Sequence, residues 1–365
     1  MITQTEAIRQ ADTLIASSDC PATTTSAALT ETWQQALATI VRDPEELFTL
    51  LQLDPSYLPQ ARAACADFPL RAPRSFIRRM AIGDWNDPLL KQVLPLAQEL
   101  VLQPGYSSDP LAEASSNPAP GLIHKYQGRV LLVVSGGCAI NCRYCFRRHF
   151  PYGDNNPSRT QWQQTLDYIR SDDSIHEVIF SGGDPMAASD TMICELVESI
   201  AAIPHVTTLR VHSRMPIVIP QRITAECLSW LTKTRLKTVM VVHCNHANEI
   251  DDEVGQSLLA LKAAGVTVLN QTVLLAGVND NVETLAAISE RLFHYGALPY
   301  YLHLLDKVQG AAHFDLTKAT GQKLYNELLT KLPGYLVPRL VQEVPGASSK
   351  VPIHISPPAK GNYSV

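Results

Sequence analysis

From residue 130 onward, short runs of aliphatic and β-branched residues alternate with stretches whose apolar positions recur every three or four residues. The short runs, at 130–134, 177–181, 207–212, 238–243, 267–273 and 299–304, predict strands. The stretches between them, such as 194–202, 254–264 and 282–294, predict amphipathic helices. Strands that alternate with helices make βα units, and buried strands of this composition pair in parallel. Six such units are too few to close a (β/α)8 barrel. The expected fold is therefore α/β, a partial (β/α)6 barrel, with its reactive groups where strands end and loops begin.

Residues 28–120 read differently, as a helical extension and linker. Asp43-Pro44-Glu45-Glu46 puts a capping carboxylate before a proline and two acids in a first turn, and Asp87-Pro88 repeats the cap. A further short helix is predicted over 73–80. Pro104, Pro110, Pro118 and Pro120, among Ser and Gly, mark a linker. Residues 1–27 are rich in Ser, Thr and Ala, which predicts little fixed structure. The remaining boundaries are a barrel over 121–320 and a short C-terminal segment over 321–365. The extension could pack on its own barrel or against a second subunit in a homo-oligomer, and the pattern alone leaves both open.

Composition narrows the function classes. Of 365 residues, 45% are hydrophobic and 18% charged, enough for a large core. A net charge of −5 with no basic tail argues against nucleic acid as the main partner. No apolar run approaches the roughly 18 residues of a membrane span, and the start lacks the order of a secretory signal. The eight cysteines then read as thiols in a reducing cytoplasm.

Five of them are scattered. The other three stand together in Ser135-Gly-Gly-Cys138-Ala-Ile-Asn-Cys142-Arg-Tyr-Cys145-Phe-Arg147-Arg148, directly after the first strand. Three thiolates in so short a loop can converge on a metal centre. A closed zinc site needs four ligands, and only a lone His149 lies near; three thiolates on a four-iron cluster leave one iron open. Ser181-Gly182-Gly183-Asp184 follows the second strand, where glycines let backbone approach a ligand closely. Near the C-terminus, Lys350 sits among small residues, and His124-Lys125-Tyr126-Gln-Gly-Arg129 offers two cations and a phenol as a phosphate seat. Lysine amines condense with the aldehyde of pyridoxal 5'-phosphate (PLP), which needs such a seat. His243, Asn245, His246 and Gln271 fall near strand ends, where contact with a cofactor and an ordinary core role are both open.

The cysteine loop resembles the radical S-adenosyl-L-methionine (SAM) superfamily, whose signature is CxxxCxΦC with an aromatic before the last Cys. That resemblance implies a 4Fe-4S cluster on Cys138, Cys142 and Cys145, with SAM on the open iron and against Gly182, Gly183 and Asp184. In the superfamily, an electron from the reduced cluster cleaves SAM to a 5′-deoxyadenosyl radical. From about residue 71 to Lys350 the motifs and their order are similar to the lysine 2,3-aminomutase family, which also uses PLP. This implies PLP on Lys350, its phosphate near Lys125, Tyr126 and Arg129, the substrate carboxylate on Arg147, and the substrate ammonium on Asp306 and Glu343. Glu343 stands where the family usually has Asp.

The short segment after Lys350 and the Leu-Asp-Lys-Val-Gln-Gly-Ala-Ala-His-Phe stretch look most like the branch that makes (R)-β-lysine for attachment to elongation factor P. The resemblance further implies an isomerase acting on free lysine, a reductant such as flavodoxin or ferredoxin, and a functional link to the elongation factor P lysine ligase. An aminomutase of lysine catabolism or osmolyte synthesis is the alternative within the family. A non-catalytic iron–sulfur redox protein would leave Lys125, Arg129, Arg147, Asp306 and Lys350 without a shared purpose. A radical SAM enzyme acting on RNA is disfavoured by the charge.

Overall fold

The computed structural model describes residues 31–153, 155 and 159–354; the stretch expected to lack structure, 1–27, lies outside them, as does 355–365. Among the described residues nine strands form one sheet in strict chain order: β1 (Leu122–Tyr126), β2 (Arg129–Ser135), β3 (Glu177–Gly182), β4 (Thr208–Ser213), β5 (Lys237–His243), β6 (Thr267–Val273), β7 (Leu298–His303), β8 (Arg339–Gln342) and β9 (Val351–Pro352). Strands β2 to β8 run parallel, while β1 and β9 turn back as antiparallel edges. The six expected strands are β2 to β7, each followed by a helix. The pattern missed β8, whose four residues are too few to show a period. Among the described residues β1 and β9 do not pair, so the barrel they form is open along one side.

The helices follow from the same chemistry. Those of the extension are α1 (Trp33–Ala38), α2 (Pro44–Leu51), α3 (Leu58–Asp67), α4 (Arg74–Ile77) and α5 (Pro88–Lys91). The barrel carries α6 (Arg159–Ser171), α7 (Asp190–Ala201), α8 (Met215–Val218), α9 (Ala225–Thr232), α10 (Asp252–Ala263), α11 (Val282–His294) and α12 (Lys318–Lys331). Asp43 caps α2 by accepting from the Glu45 amide at 3.0 Å, and Asp87 caps α5 through the amides of Leu89 and Leu90, both at 2.8 Å. Helix α7 buries Ile193, Leu196, Val197 and Ile200, one stripe against the sheet. Each such side chain contributes about 1.5–3 kcal/mol by leaving water.

The extension packs on its own barrel. Ser75 donates to the Val218 carbonyl at 2.5 Å, Arg79 to that of Ile217 at 2.9 Å, and the Arg143 amide to the Gln92 carbonyl at 2.9 Å. The first two tie 75–79 to α8, and the third ties Gln92 to the loop that carries the cysteines.

Candidate active site

The loop leaving β2 carries Cys138, Cys142 and Cys145 at the C-terminal end of the sheet. All three are free and partly accessible. Burial, then repulsion from the neighbouring thiols, pushes Cys138 up; burial and Cys142 push Cys145 up to about 12. A metal centre reverses that logic, since coordination removes the proton outright. Among the described residues no three His, Cys, Asp or Glu side chains close on a single metal ion. Three thiols on one loop, with no fourth cysteine beside them in the sequence, suit a four-iron cluster with one open corner better than a closed zinc site.

The loop is clamped by arginines whose counterions come from the extension and linker. Arg143 forks onto Glu99, its Nε 2.8 Å from Oε1, and neither side chain is exposed. Arg148 reaches the same Glu99 at 3.0 Å and the Gly310 carbonyl at 3.1 Å. Arg147 makes a two-pronged pair with Glu113, at 2.7 and 2.8 Å, and its third nitrogen lies 3.1 Å from Ser181 Oγ. Breaking a buried pair of this kind by removing one partner costs about 3–5 kcal/mol. Burial opposes the charge on Arg147, but Glu113 outweighs it and raises the guanidinium above its ordinary range.

The glycine turn after β3 meets this loop backbone to backbone. Gly183 donates to the Ser135 carbonyl and Asp184 to that of Gly137, both at 2.8 Å. A Cβ on Gly182, whose φ is +123°, would stand 2.5 Å from the Ser135 carbonyl oxygen. The carboxylate of Asp184 is wholly engaged within the protein. It accepts from Ser213 Oγ at 2.7 Å and from the amides of Arg214 at 2.8 Å and Met186 at 3.0 Å. A ligand at this turn would therefore meet backbone, not the Asp184 side chain expected from the sequence.

Beside the cysteines lies a polar network that the sequence reading missed. Arg214, just past β4, donates to Cys142 Sγ at 2.8 Å, Tyr144 Oη at 2.7 Å, Gln92 Oε1 at 2.6 Å and Glu249 Oε2 at 2.9 Å. Asn245 donates to the same Tyr144 oxygen at 2.7 Å, and His243 Nε2 lies 3.1 Å from it. Burial and Arg214 hold His243 neutral, at about 3. Two of the four residues left open, His243 and Asn245, thus build this network.

The second group of residues gathers along the open side of the barrel. Glu343, past β8, accepts from the Lys350 ammonium and from the Tyr126 hydroxyl on β1, joining the two edges. Burial would raise Glu343, but Lys350 outweighs it and holds the carboxylate below its usual range. Asp306, past β7, faces the same space. Burial, then the charge of Glu343, pushes it up to about 7, against the pull of Lys350 and Lys125. The simple surface pair of Asp306 with Lys307 does not occur; Lys307 lies over the Tyr106 ring instead. Lys125 donates to the Leu111 carbonyl at 3.2 Å, and the Arg129 guanidinium sits 4.9 Å from the Tyr126 ring centre. Among the described residues neither cation pairs with a carboxylate. Tyr126 itself turns its hydroxyl to Glu343. His212, on β4, has a buried Nε2 with no partner, and burial with the cations Arg210, Lys350 and Arg147 keeps its ring neutral.

A model of the Radical SAM superfamily matches residues 132–226, the strands and turns that hold the cysteines and glycines. The whole chain has closer relatives. It is 50% identical over 326 residues to L-lysine 2,3-aminomutase of Escherichia coli, covering 89% of this chain and 95% of that one. It is 47% identical over 320 residues to the Haemophilus influenzae L-lysine 2,3-aminomutase, covering 88% and 95%. The chain belongs to the lysine 2,3-aminomutase family. A more distant relative, the L-lysine 2,3-aminomutase of Clostridium subterminale, is 37% identical over 272 residues, 74% of this chain and 65% of that one.

This aminomutase is an isomerase with a radical SAM domain, and its cofactors are a 4Fe-4S cluster, SAM and PLP. The residues present suit all three. Three free thiols on one loop match the open-cornered cluster. The Gly182-Gly183 backbone can approach the amino-acid end of SAM. Lys350, with the carboxylate-free cations Lys125 and Arg129 and the orphaned His212 nitrogen, matches an aldehyde that carries a phosphate. Glu99, Glu113, Gln92, Arg214 and Glu249 were missed because each acts through a partner distant in the chain. The one available signal was the run of arginines around the cysteines, since a buried loop so charged needs counterions somewhere.

Proposed function

We propose that the enzyme is a lysine 2,3-aminomutase that converts L-α-lysine to (R)-β-lysine for attachment to elongation factor P. The grouping that carries the substrate is a guanidinium in forked contact with a carboxylate, with two acids, Asp306 and Glu343, gathered around Lys350. Arg147 already holds a carboxylate, that of Glu113, in the forked geometry a substrate carboxylate would adopt. Asp306 and Glu343 are the acids suited to a side-chain ammonium. An acidic amino acid would be repelled there.

Cys138, Cys142 and Cys145 hold the cluster, the Gly182-Gly183 turn meets SAM, and Lys350 holds PLP with Lys125 and Arg129 at its phosphate. The bound cofactors supply a radical able to take an unreactive C3 hydrogen and a carbonyl that carries the migrating nitrogen. The chain supplies placement. Arg147 receives the substrate carboxylate, and the arriving ammonium favours the ionised form of Asp306. Glu343, in contact with Lys350 Nζ, positions this amine at the site. A one-electron donor such as flavodoxin or ferredoxin completes the system. Service to elongation factor P rests on the resemblance of the Leu305–Phe314 stretch and of the short segment after Lys350 to that branch. No helix among the described residues is long and apolar enough to cross a membrane.

The test is anaerobic turnover of L-lysine by the reconstituted enzyme with SAM and reductant, followed by chiral analysis and transfer to elongation factor P by its ligase. (R)-β-lysine that the ligase accepts is the expected result, with PLP fixed to Lys350 by borohydride. The S isomer, a product that the ligase rejects, or label on another lysine would overturn the corresponding assignment.

A further inference from the structure

The Arg214 network ends on Cys142, one of the three cysteines of the loop. The Arg214 side chain is only 5% exposed. One terminal nitrogen lies 2.8 Å from Cys142 Sγ, and the other lies 2.9 Å from the carboxylate of Glu249, which has no exposure at all. The guanidinium also lies 5.4 Å from the Phe76 ring centre and 5.8 Å from that of Tyr144. A permanent cation is thus wedged, away from bulk water, between a ligand sulfur and its own counterion. Gln92, from the extension, steadies both: its Oε1 accepts from Arg214 and its Nε2 donates to Glu249 Oε1 at 3.0 Å.

We propose that Arg214 tunes the reduction potential of the cluster through Cys142, and that Glu249 opposes it. Arg214 is a positioning residue that touches no substrate. This rests on Cys138, Cys142 and Cys145 being the cluster ligands. Reduction adds one electron to the cluster and spreads negative charge onto its sulfurs. An N–H donor and a positive charge beside Cys142 stabilise that electron-rich form, so they raise the potential. In a dry site this influence is stronger than it would be in water. Glu249 sits beyond the guanidinium and partly cancels the charge, while keeping the fork aimed at the sulfur.

The test uses the anaerobically reconstituted holoenzyme, with iron and sulfide measured first, and follows the reduced cluster by EPR at controlled potentials. Arg214→Gln is expected to lower the ratio of reduced to oxidised cluster at least tenfold at a fixed potential, equivalent to about 59 mV for one electron. Glu249→Gln removes the opposing charge while one amide oxygen can still accept from Arg214, at the cost of turning its NH2 toward the donors on Oε1, so in clusters that assemble its ratio is expected to rise. Arg214→Lys, a point charge without the fork, is expected to fall between wild type and Arg214→Gln, and it carries the test with Glu249→Gln if Arg214→Gln does not retain iron. A role confined to packing would change iron content and leave the potential of the surviving clusters alone. Wild-type potential in iron-replete variants, or a Glu249→Gln shift in the same direction as the arginine variants, overturns the proposal. Wild-type protein that binds no cluster overturns the ligand reading instead.

Discussion

Replacing Gly183 by Ala tests how closely the two turns at the barrel mouth must meet. The added Cβ would lie 2.7 Å from the Gly137 carbonyl oxygen, 2.8 Å from that of Gly136 and 2.9 Å from the Gly136 carbonyl carbon. All three are backbone atoms, so no rotamer change relieves the clash. Ordinary contact begins at 3.4 Å, leaving a shortfall of 0.7 Å (3.4 minus 2.7). The turns are tied by two 2.8 Å hydrogen bonds, from Gly183 to Ser135 and from Asp184 to Gly137. The strain must either break those bonds or push Gly136 and Gly137, and Cys138 moves with them. Overpacking of this kind costs about 1–3 kcal/mol, and a displacement near 1 Å at a reacting centre can cost about a hundredfold in rate. Gly183→Ala is therefore expected to fold, to retain less iron after reconstitution, and to turn lysine over about 10–100-fold more slowly. Gly334→Ala, which meets nothing within 4 Å, is the control. Iron, sulfide and turnover at wild-type levels in Gly183→Ala would refute the reasoning.

Asp306, raised to about 7 chiefly by burial, must ionise to hold a cation. Below that pH a proton has to be displaced, so kcat/KM for lysine should fall up to tenfold per pH unit, and it should level off above. Asp306→Asn should raise KM and erase this acid limb; a limb that survives the substitution assigns the titration to another group. Arg147→Lys keeps a charge but cannot fork onto a carboxylate, and losing one charge-assisted contact of about 1.5–3 kcal/mol predicts a rise in KM of roughly 10–100-fold. An unchanged KM with lysine would move the carboxylate seat elsewhere.

What was legible in the sequence was local. Cys138, Cys142 and Cys145 lie on one loop, so their spacing alone brings them together, and the six runs from β2 to β7 carry their own periodicity. Asp43 and Asp87 cap helices through amides two or three residues away. A capping signal of that range survives in any single stretch of chain.

What only the tertiary structure decided was which distant charges meet. Arg147 finds Glu113 across 34 positions, Arg214 finds Cys142 across 72, and Tyr126 finds Glu343 across 217. It also gave the Asp184 side chain to the fold, and gave Glu343 to Lys350. A strand or a cap is a compromise between near neighbours and is written in their order. A buried ion pair has no local signature, because either charge alone would be costly there, and its partner is set by how the sheet winds.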